Sequence, residues 1–474
     1  MSPHNFWSFN HLVYLAEHLV EKNSYNLFYR TTQYNVNVEV IKKDQKMIVA
    51  LFEDENYTNF FPLTYTRPVF ECRSGIFSFF ERAQKMFAES RFAFFTRDYL
   101  APTFRKRVSC PVNEPDSLDD DVLLINGTLI VDEKVKRLME KKIDRNVLIK
   151  QQGRLALAHL APDVAKKHGK ELCKPTTRLT TKKLIRECKT LESSNLDFLT
   201  YPWDLIHNNA ELIKKDYSGL GKKECEGTMA DRVMVYGDEE RLYVGEGAFV
   251  EAFVTLDVRE GPIYIGNETV VHSGSRISGP TYIGNKTIVT SGLIREGCSV
   301  GQVCRVGGEL EETIIHGYTN KYHTGFIGHA YIGEWVNLGA ATTNSDLKNT
   351  YGTVRVATRG KKFDTSQKKV GCFIGDHAKT SIGTQIYTGR KIGVASHAHG
   401  FVTEDVPSFT IWGKSLGAKP VELELESAIR TQERVLSRRG VKQTREDVEL
   451  LKELFQITVA EREEMGVLKE RFVL

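Results

Sequence analysis

The sequence lacks a long apolar segment, a cysteine framework and a strong net charge. No uninterrupted apolar stretch reaches the ~18 residues of a membrane-spanning helix, so we expect no membrane partner. The eight cysteines are scattered and form no Cys-x-x-Cys pair, which is typical of reduced cytoplasmic cysteines and not of a disulfide or zinc site. The formal charge of +4, from 65 basic and 61 acidic residues, is too small to indicate a nucleic-acid partner.

The chain is too long for one compact core, because its 474 residues exceed the ~250–300 at which single cores stop growing. Residues 1–46 carry no interpretable pattern; they have no basic head or small-residue cleavage site, so we expect no signal peptide. Either they are an N-terminal extension or the natural start is Met47. Residues 47–200 predict an α/β domain and residues 201–240 a linker. Residues 241–412 predict a repeat domain, and residues 413–474 a C-terminal helical segment.

A six-residue period dominates the repeat domain. An α-helix would rotate such residues by about 240° per step and give them no common face. Strand residues six apart return to the same side, so a chain that turns after every six residues forms a three-sided coil of 18. This pattern predicts a left-handed parallel β-helix of hexapeptide repeats, the coils stacking their aliphatic residues inward. The five aliphatics in strict phase are Ile265, Val271, Ile277, Ile283 and Val289.

Glycine punctuates the same repeat. It repeatedly follows an aliphatic residue between Val244 and Gly393, and we expect it to ease the corners between faces. The phase breaks over Glu309–Phe326 and again over Thr342–Gly371, where the sequence becomes polar and charged. Long excursions from a rigid repeat tend to carry functional residues, so the second break predicts a loop thrown out from the coil.

The flanking segments predict regular α/β and helical structure. The apolar runs MIVALF and DVLLIN predict buried strands, Gly75–Ala88 a helix, and the stretch RNVLIKQQGRLALAHL a strand pair. Two amphipathic helices are predicted over Val421–Arg439 and Thr444–Arg462. Gly440 fits a helix C-terminus, and Thr444 with Asp447 three residues on fits a capping signal.

The order of α/β domain, Tyr-Pro-Trp-Asp segment and hexapeptide coil resembles the bifunctional sugar-1-phosphate nucleotidylyltransferase / glucosamine-1-phosphate acetyltransferase family. Those enzymes make UDP-N-acetylglucosamine. The resemblance covers about residues 47–440 and looks closest to a divergent prokaryotic branch. It implies a cytoplasmic homotrimer that uses acetyl-CoA, sugar phosphates and nucleotides. The motifs that carry it are PLTYTRPV, INGTLIVD, YPWDLI, GPIYIG, GEWVNLGAATTNSDLKNTYG and GDHAKTSIGT.

The resemblance implies an acetyltransferase site in the coil. His323 matches the family's general-base histidine, Asn337 a sugar-contacting asparagine, and Ala340 an acetyl-CoA contact. The chemistry is sound, because an amine that attacks a thioester must lose a proton and an imidazole is suited to accept it. The alternative for His323 is a loop histidine with a structural hydrogen bond.

Further substrate contacts follow from the resemblance. Arg295 matches an arginine that contacts the sugar phosphate, and Asn344 and Asp346 are similar to a family Asn-Tyr-Asp segment with a two-residue shift. The family's paired lysines that hold the phosphate fall on Glu311 and Glu312, two acids that would repel it. The family's tyrosine near the histidine is also replaced, by Phe326. No histidine cluster near the coil has the spacing of a metal site.

The α/β domain departs further from the family. At the positions of the family's two glycines and the arginine that follows them, this chain has Glu55, Tyr57 and Asn59. At the positions of the family's lysine and metal-binding aspartate, it has Val69 and Thr128. Backbone N–H groups at such glycines cradle nucleotide phosphates, so their loss predicts weak or absent nucleotidyl transfer.

Four residues of this domain remain candidates for ligand binding. Arg67 and Arg73 are candidates for phosphate binding or, alternatively, for structural ion pairs. Asp54 and Asp132 are candidate ligands for Mg²⁺.

The leading hypothesis is acetyl transfer from acetyl-CoA to an amino sugar phosphate by the β-helix. One alternative is a sugar-1-phosphate nucleotidylyltransferase in which the β-helix is a trimerisation scaffold. Another is a non-catalytic, sugar-nucleotide-binding regulatory assembly.

Overall fold

A computed structural model describes residues 47–140, 144–173, 177–221 and 225–473. The predicted extension, residues 1–46, lies outside the described residues. Three parts follow one another along the described chain: an α/β domain, a β-helix and a C-terminal helical segment.

The α/β domain is built on a six-stranded mixed sheet. The apolar runs predicted as strands are its central strands, because burial on both faces suits continuous aliphatic sequence. Its order is β2-β1-β3-β5-β4-β6, with β1 parallel to β2 and β3, and β5 antiparallel to both neighbours. The strands are β1 Met47–Phe52, β2 Arg91–Phe95, β3 Asp121–Asn126, β4 Val147–Gln151, β5 Arg154–Leu160 and β6 Lys189–Glu192.

Helices flank this sheet and lead from it into the β-helix. The predicted helix at Gly75–Ala88 is confirmed over Phe79–Met86, where Ser78 and Glu81 form a reciprocal capping box. Two helices occupy the first part of the predicted linker, residues 201–240. The helices are α1 Phe79–Met86, α2 Ala101–Phe104, α3 Glu133–Glu140, α4 Pro162–Leu172, α5 Thr177–Glu187, α6 Pro202–His207 and α7 Asn209–Gly219.

The second part is the predicted coil, and its strands form three parallel faces. Ile263 pairs with Thr281, one coil of 18 residues later, and the five aliphatics predicted to stack inward are all fully buried. The first strand, at Thr228, lies inside the predicted linker, so the coil begins earlier than residue 241. The predicted architecture, an α/β domain joined to a parallel β-helix, is confirmed.

We name the three faces by what lies against them. The domain face contains Leu242–Val244, Ile263–Ile265, Thr281–Ile283, Cys298–Val300, Ile314–Gly317, Tyr331–Glu334, Phe373–Ile374 and Lys391–Ile392. The helix face contains Thr228–Met229, Phe249–Val250, Val270–Val271, Asn320–Lys321, Asn337–Leu338, Lys379–Thr380, His397–Ala398 and Thr410–Trp412. The open face contains Met234–Tyr236, Thr255–Asp257, Arg276–Ser278, Phe326–Gly328, Thr343–Asn344, Gln385–Ile386 and Phe401–Val402. Two longer strands, Ile288–Ile294 and Arg305–Glu311, turn from the helix face onto the open face.

The corner glycines are required by close stacking and not by backbone angle. A Cβ on Gly266 would lie 2.3 Å from Oδ1 of Asn285 and 2.7 Å from its backbone nitrogen, in the next coil. The left-handed corner conformation falls instead two residues later, on Glu268 with φ 55°. Glycine is therefore needed where successive coils touch.

The α/β domain packs along the domain face. Ser299 Oγ donates to the carbonyl of Gly75 at 2.8 Å, and Asn209 Nδ2 donates to the carbonyl of Gly297 at 2.8 Å. Tyr331 and Phe373 are fully buried in the apolar core of the α/β domain. The two parts therefore share one core.

The predicted loop at Thr342–Gly371 is confirmed in large part, but its start is regular. Thr343–Asn344 is a strand of the open face, and the rest carries an antiparallel hairpin of Arg355–Thr358 and Lys361–Asp364. Phe363 in this hairpin packs against Tyr201, with ring centroids 5.7 Å apart. The excursion thus lies against the α/β domain.

The C-terminal segment packs beside the upper helix face. Strand Val421–Glu422 pairs antiparallel with Thr410–Trp412 before the helices begin. The first predicted helix is confirmed over Leu425–Ser437, although Val421–Glu422 is a strand. The second prediction is confirmed in position, with a capping box of Thr444 and Asp447, but the helix ends at Ile457 and a new one begins at Val459. Gly440 has the expected positive φ of 68°. The helices are α8 Leu425–Ser437, α9 Arg445–Ile457 and α10 Val459–Glu464.

Candidate functional site

His323 lies at the corner between the helix face and the open face. Its side chain is exposed, and its ring meets Tyr322 edge-on at 5.5 Å. Lys321, which is only 1% exposed, donates from Nζ to the carbonyl oxygens of His323 at 2.6 Å and Gly307 at 2.8 Å. Burial lowers the pKa of Lys321 to about 8. This lysine fixes the corner that presents His323, and its inward position gave no signal in the sequence.

Asn337 and Ala340 lie one coil above the His323 corner. Asn320 Nδ2 donates to Asn337 Oδ1 at 3.2 Å, at an offset of 17 residues. The N–H of Ala341 donates to the carbonyl of Thr324 at 2.9 Å, which keeps the same offset. By this offset, His323 stacks against Ala340 of the next coil. Asn337 stacks on Asn320, and this pair lies three residues earlier along the two coils.

A pocket of about 190 Å³ opens beside Asn337. Its walls come from the helix face, from the corner before it, and from the end of α8. Burial lowers the pKa of Lys379, which lines it, to about 8. The lining residues are Tyr318, Asn320, Trp335, Val336, Asn337, Lys379, Val435, Arg438 and Arg439.

Arg295 lies at the other end of the open face, at the corner with the domain face. Its Nη1 lies 2.7 Å from Glu311 Oε2 and 3.5 Å from Glu309 Oε1. Glu311 also accepts from Lys369 Nζ at 2.9 Å. The charge of Glu311, which was expected to repel a phosphate, is thus neutralised within the protein. Glu311 also holds Arg295, the arginine predicted to bind that phosphate.

Asp346 lies at the same corner and pairs with a buried histidine. His329 Nδ1 lies 2.9 Å from Asp346 Oδ2, and His329 Nε2 lies 3.3 Å from Glu312 Oε2. Burial alone would lower the pKa of His329, but the two carboxylates outweigh it and raise this pKa to about 9. His207 on α6 stands next to this histidine, with ring centroids 6.0 Å apart. Asp346 is therefore an ion-pair partner inside the protein, which its sequence motif did not indicate.

Asn344 is buried and serves the backbone. Its Oδ1 accepts from the N–H of Gly328 at 2.9 Å, and its Nδ2 donates to the carbonyl of the same residue at 2.9 Å. These bonds join adjacent coils, and they assign Asn344 to the coil scaffold and not to substrate binding.

The predicted site residues therefore fall at two separate corners. His323, Asn337 and Ala340 lie on one side of the open face, whereas Arg295 and Asp346 lie on the other. The structure does not bring them together into a single site within this chain.

The two arginines predicted for phosphate binding make structural contacts. Arg67 is fully buried, with Nη2 2.5 Å from Asp376 Oδ2 and 3.2 Å from Glu334 Oε2. Arg73 donates from its backbone N–H to the hydroxyl of Tyr331, and its guanidinium lies over the ring of Tyr282. The ion-pair alternative holds for both, because Arg73 Nη2 also lies 3.7 Å from Glu81 Oε2. Arg67 is closed to a phosphate.

The carboxyl edge of β1 is closed by ion pairs of its own. Arg154 Nη2 lies 2.9 Å from Asp54 Oδ2, and Asn126 Nδ2 donates to the same oxygen at 3.0 Å. Arg97 Nη2 lies 3.0 Å from Glu53 Oε1, with both side chains buried.

This edge does not fit the Mg²⁺ that the family implies, because the Asp54 carboxylate is already held by a cation. Asp132 caps the first turn of α3 through the N–H of Lys134. Within the described ranges, no group of three His, Cys, Asp or Glu side chains is placed to hold a metal ion.

The comparisons find similarity to enzymes that transfer nucleotidyl and acetyl groups to sugar phosphates. The family model described as sugar nucleotidyl transferase matches residues 49–224. The bifunctional sugar-1-phosphate nucleotidylyltransferase/acetyltransferase of Sulfurisphaera tokodaii is 35% identical over 85 residues, 18% of this chain and 21% of that protein. The bifunctional protein GlmU of Gloeobacter violaceus is 32% identical over 126 residues, 26% of this chain and 24% of that protein.

The predicted resemblance is thus confirmed, although the aligned segments span only about a fifth to a quarter of these curated relatives. Among solved structures, the UDP-N-acetylglucosamine acyltransferase from Campylobacter jejuni is 13% identical with a TM-score of 0.29, covering 52% of this chain and all of that one. That likeness is too remote to carry an argument. In the part of the chain that the structure describes, no helix is long and apolar enough to cross a bilayer.

Proposed function

We propose that the β-helix transfers an acetyl group from acetyl-CoA to the amine of an amino sugar phosphate, with His323 as general base. The observation that carries this proposal is the placement of His323. Its imidazole is exposed at a corner that the buried Lys321 fixes. A base must reach solvent-borne substrate while its backbone stays in place, and this corner meets both needs.

The chemistry needs one proton acceptor and one oxyanion site. The amine nitrogen attacks the thioester carbonyl carbon while the imidazole takes the proton of the amine. The C–N bond forms, the C–S bond breaks, and the proton passes to the leaving CoA thiolate. Backbone N–H groups at the coil corners are suited to stabilise the oxyanion of the tetrahedral intermediate.

A homotrimer would complete this site. The α/β domain covers the domain face, and the C-terminal segment lies beside the helix face. The open face carries exposed apolar side chains, among them Met234, Leu293 and Phe401 at 52, 39 and 45% exposure. His323 lies at the edge of that face, so a neighbouring subunit packed there would reach it.

Nucleotidyl transfer by the α/β domain is the weaker candidate. The closed pairs of Asp54 with Arg154 and Glu53 with Arg97 speak against it, because neither carboxylate is open to a metal and neither arginine to a phosphate. We propose that this domain serves chiefly as a scaffold that covers the domain face.

One panel assay tests this proposal. The purified chain is given acetyl-CoA with several amino sugar phosphates, and separately UTP or dTTP with sugar-1-phosphates and Mg²⁺. Release of CoA that depends on the amino sugar phosphate would support acetyl transfer. Pyrophosphate release without CoA release would overturn it in favour of the nucleotidylyltransferase alternative, and release of neither would favour a non-catalytic assembly.

A further inference from the structure

We propose that the pocket between the helix face and the end of α8 binds a phosphorylated monosaccharide, with its phosphate held by Arg438, Arg439 and Lys379. This inference rests on the proposed function for the identity of its ligand. It names a phosphate site different from Arg295, the arginine that the family resemblance implies.

The charge of the pocket points to an anion. Three of its nine lining residues are cationic, and none of the described residues that line it is acidic. Burial is what depresses the pKa of Lys379, and no carboxylate contributes to that shift. A lining that carries three cationic side chains and no acidic one favours a negatively charged ligand.

The polar floor of the pocket suits sugar hydroxyls. Arg439 Nη2 donates to Asn320 Oδ1 at 2.9 Å, and Asn320 in turn donates to Asn337 Oδ1 at 3.2 Å. This chain of bonds fixes the Asn337 amide. The side chain of Asn337 is exposed, and its Nδ2 has no hydrogen-bond partner in the described part of the chain, so it can donate to a ligand hydroxyl.

The opposite wall is apolar and rigid. Trp335 stacks on Tyr318 with ring centroids 4.4 Å apart, and both belong to an apolar cluster with Leu436 and Val441. Trp335 has the positive φ of 59° that recurs at the corners of the coil, as at Glu268 and His377, so the coil fixes its backbone.

The size of the pocket limits the ligand. Its volume of about 190 Å³ is below the ~300–1,000 Å³ typical of sites for whole drug-sized molecules. One sugar ring with its phosphate matches this space better than a complete nucleotide or CoA does. Asn337 belongs both to this pocket and to the coil that lies above His323, so a bound sugar would lie on the same face as the proposed base.

The arginines at this helix end have another possible role, which the test must separate from ligand binding. Cations at a helix C-terminus stabilise the helix through its dipole. Arg438 is the C-terminal cap residue of α8 and is exposed, so its replacement should leave the fold intact. Arg434, one turn earlier and also exposed, lies outside the pocket lining and gives a matched control.

Calorimetric titration of the full chain with glucosamine 1-phosphate, in the absence of acetyl-CoA, tests this inference. We expect Arg438→Gln to weaken binding by about 10-fold or more, because charge-assisted phosphate bonds are strong, and Arg434→Gln to leave it unchanged. Glucosamine should bind more weakly than its phosphate and should be insensitive to Arg438→Gln. Thermal melts should show both variants folded.

Three results would overturn the assignment. These are equal affinity of inorganic phosphate and the sugar phosphate, displacement of the sugar phosphate by CoA, and unchanged binding in Arg438→Gln. If CoA release persists while Arg438→Gln has no effect, only the pocket assignment fails. If the sugar phosphate binds through Arg438 but no CoA is released, the acetyl-transfer proposal fails and the binding site stands.

Discussion

The Nη2 atom of Arg67 lies 2.5 Å from Oδ2 of Asp376, across the junction between the α/β domain and the β-helix. Thr66 Oγ1 also donates to this carboxylate, at 2.7 Å. All three side chains are buried, so the pair joins the two parts in a dry interface. Breaking such a pair leaves one charge buried without its partner.

Replacement of Arg67 should therefore destabilise the chain strongly. We expect Arg67→Leu to lower the free energy of unfolding by about 3–5 kcal/mol, the usual loss when one partner of a buried pair is removed. Urea denaturation followed by circular dichroism measures this. Arg91→Leu, which breaks a surface pair with Asp119 in the same domain, should cost less than about 1 kcal/mol. Equal losses in the two variants would contradict the structural role of Arg67.

The buried histidine of the domain-face corner predicts a pH effect. The pKa of His329 is about 9 in the folded chain, against an ordinary value of 6.5, because Asp346 and Glu312 favour its charged form. Its stabilising contribution is complete below about pH 6.5 and is lost as the pH rises towards 9, because only the folded state then holds the proton. The loss amounts to at most about 3 kcal/mol.

Comparison with His329→Gln isolates this contribution. The difference in melting temperature between the native chain and His329→Gln should shrink steadily from pH 6.5 to 9.5. His272→Gln, which removes a histidine from a more exposed pair with Glu251, serves as the matched control variant. A wild-type advantage over His329→Gln that stays constant across this range would contradict the raised pKa.

The open face predicts the oligomeric state. We expect light scattering at micromolar concentration to give the mass of a homotrimer. Leu293→Glu places a charge on the open face and should shift the mass towards that of a monomer. Ile185→Glu, at a similarly exposed position on α5, should leave the trimer intact. A monomer mass for the native chain would contradict the proposal that a neighbouring subunit completes the site.

The β-helix could be predicted from the sequence because its period is local. The spacing of Ile265, Val271 and Ile277 predicts the three-sided coil without reference to any other part of the chain. The glycine positions were predicted as well, but their reason was not. It lies in the approach of Gly266 to Asn285 of the next coil, which only the stacked structure shows.

The candidate site could not be predicted in the same way, because it depends on contacts distant in sequence. Arg67 stands in a motif that resembles a phosphate site, yet its partner Asp376 is 309 residues away. Arg439, just beyond the end of α8, donates to Asn320, which is 119 residues away in sequence. Lys321 is buried, but the residues around it in the sequence show no apolar repeat that would predict an inward-facing position. Residue types alone do not reveal such partners.

Binding of the amino sugar phosphate can be tested separately from the chemical step. Asn337→Ala should raise the apparent KM for the amino sugar phosphate, while kcat changes less, because this side chain is proposed to hold the sugar and not the proton. Steady-state kinetics at saturating acetyl-CoA separates the two parameters. A fall in kcat with unchanged KM would instead give Asn337 a role in the chemical step.

The central claim is that His323 is the general base, and one variant tests it most directly. His323→Ala should lower kcat for CoA release by about 10²–10⁴-fold, with the melting temperature and acetyl-CoA binding unchanged. His272→Ala, a histidine on an earlier coil of the same face, is the matched control and should keep the native rate. An acetyl-transfer rate unaffected by His323→Ala would remove this histidine from the mechanism and leave the β-helix as a scaffold.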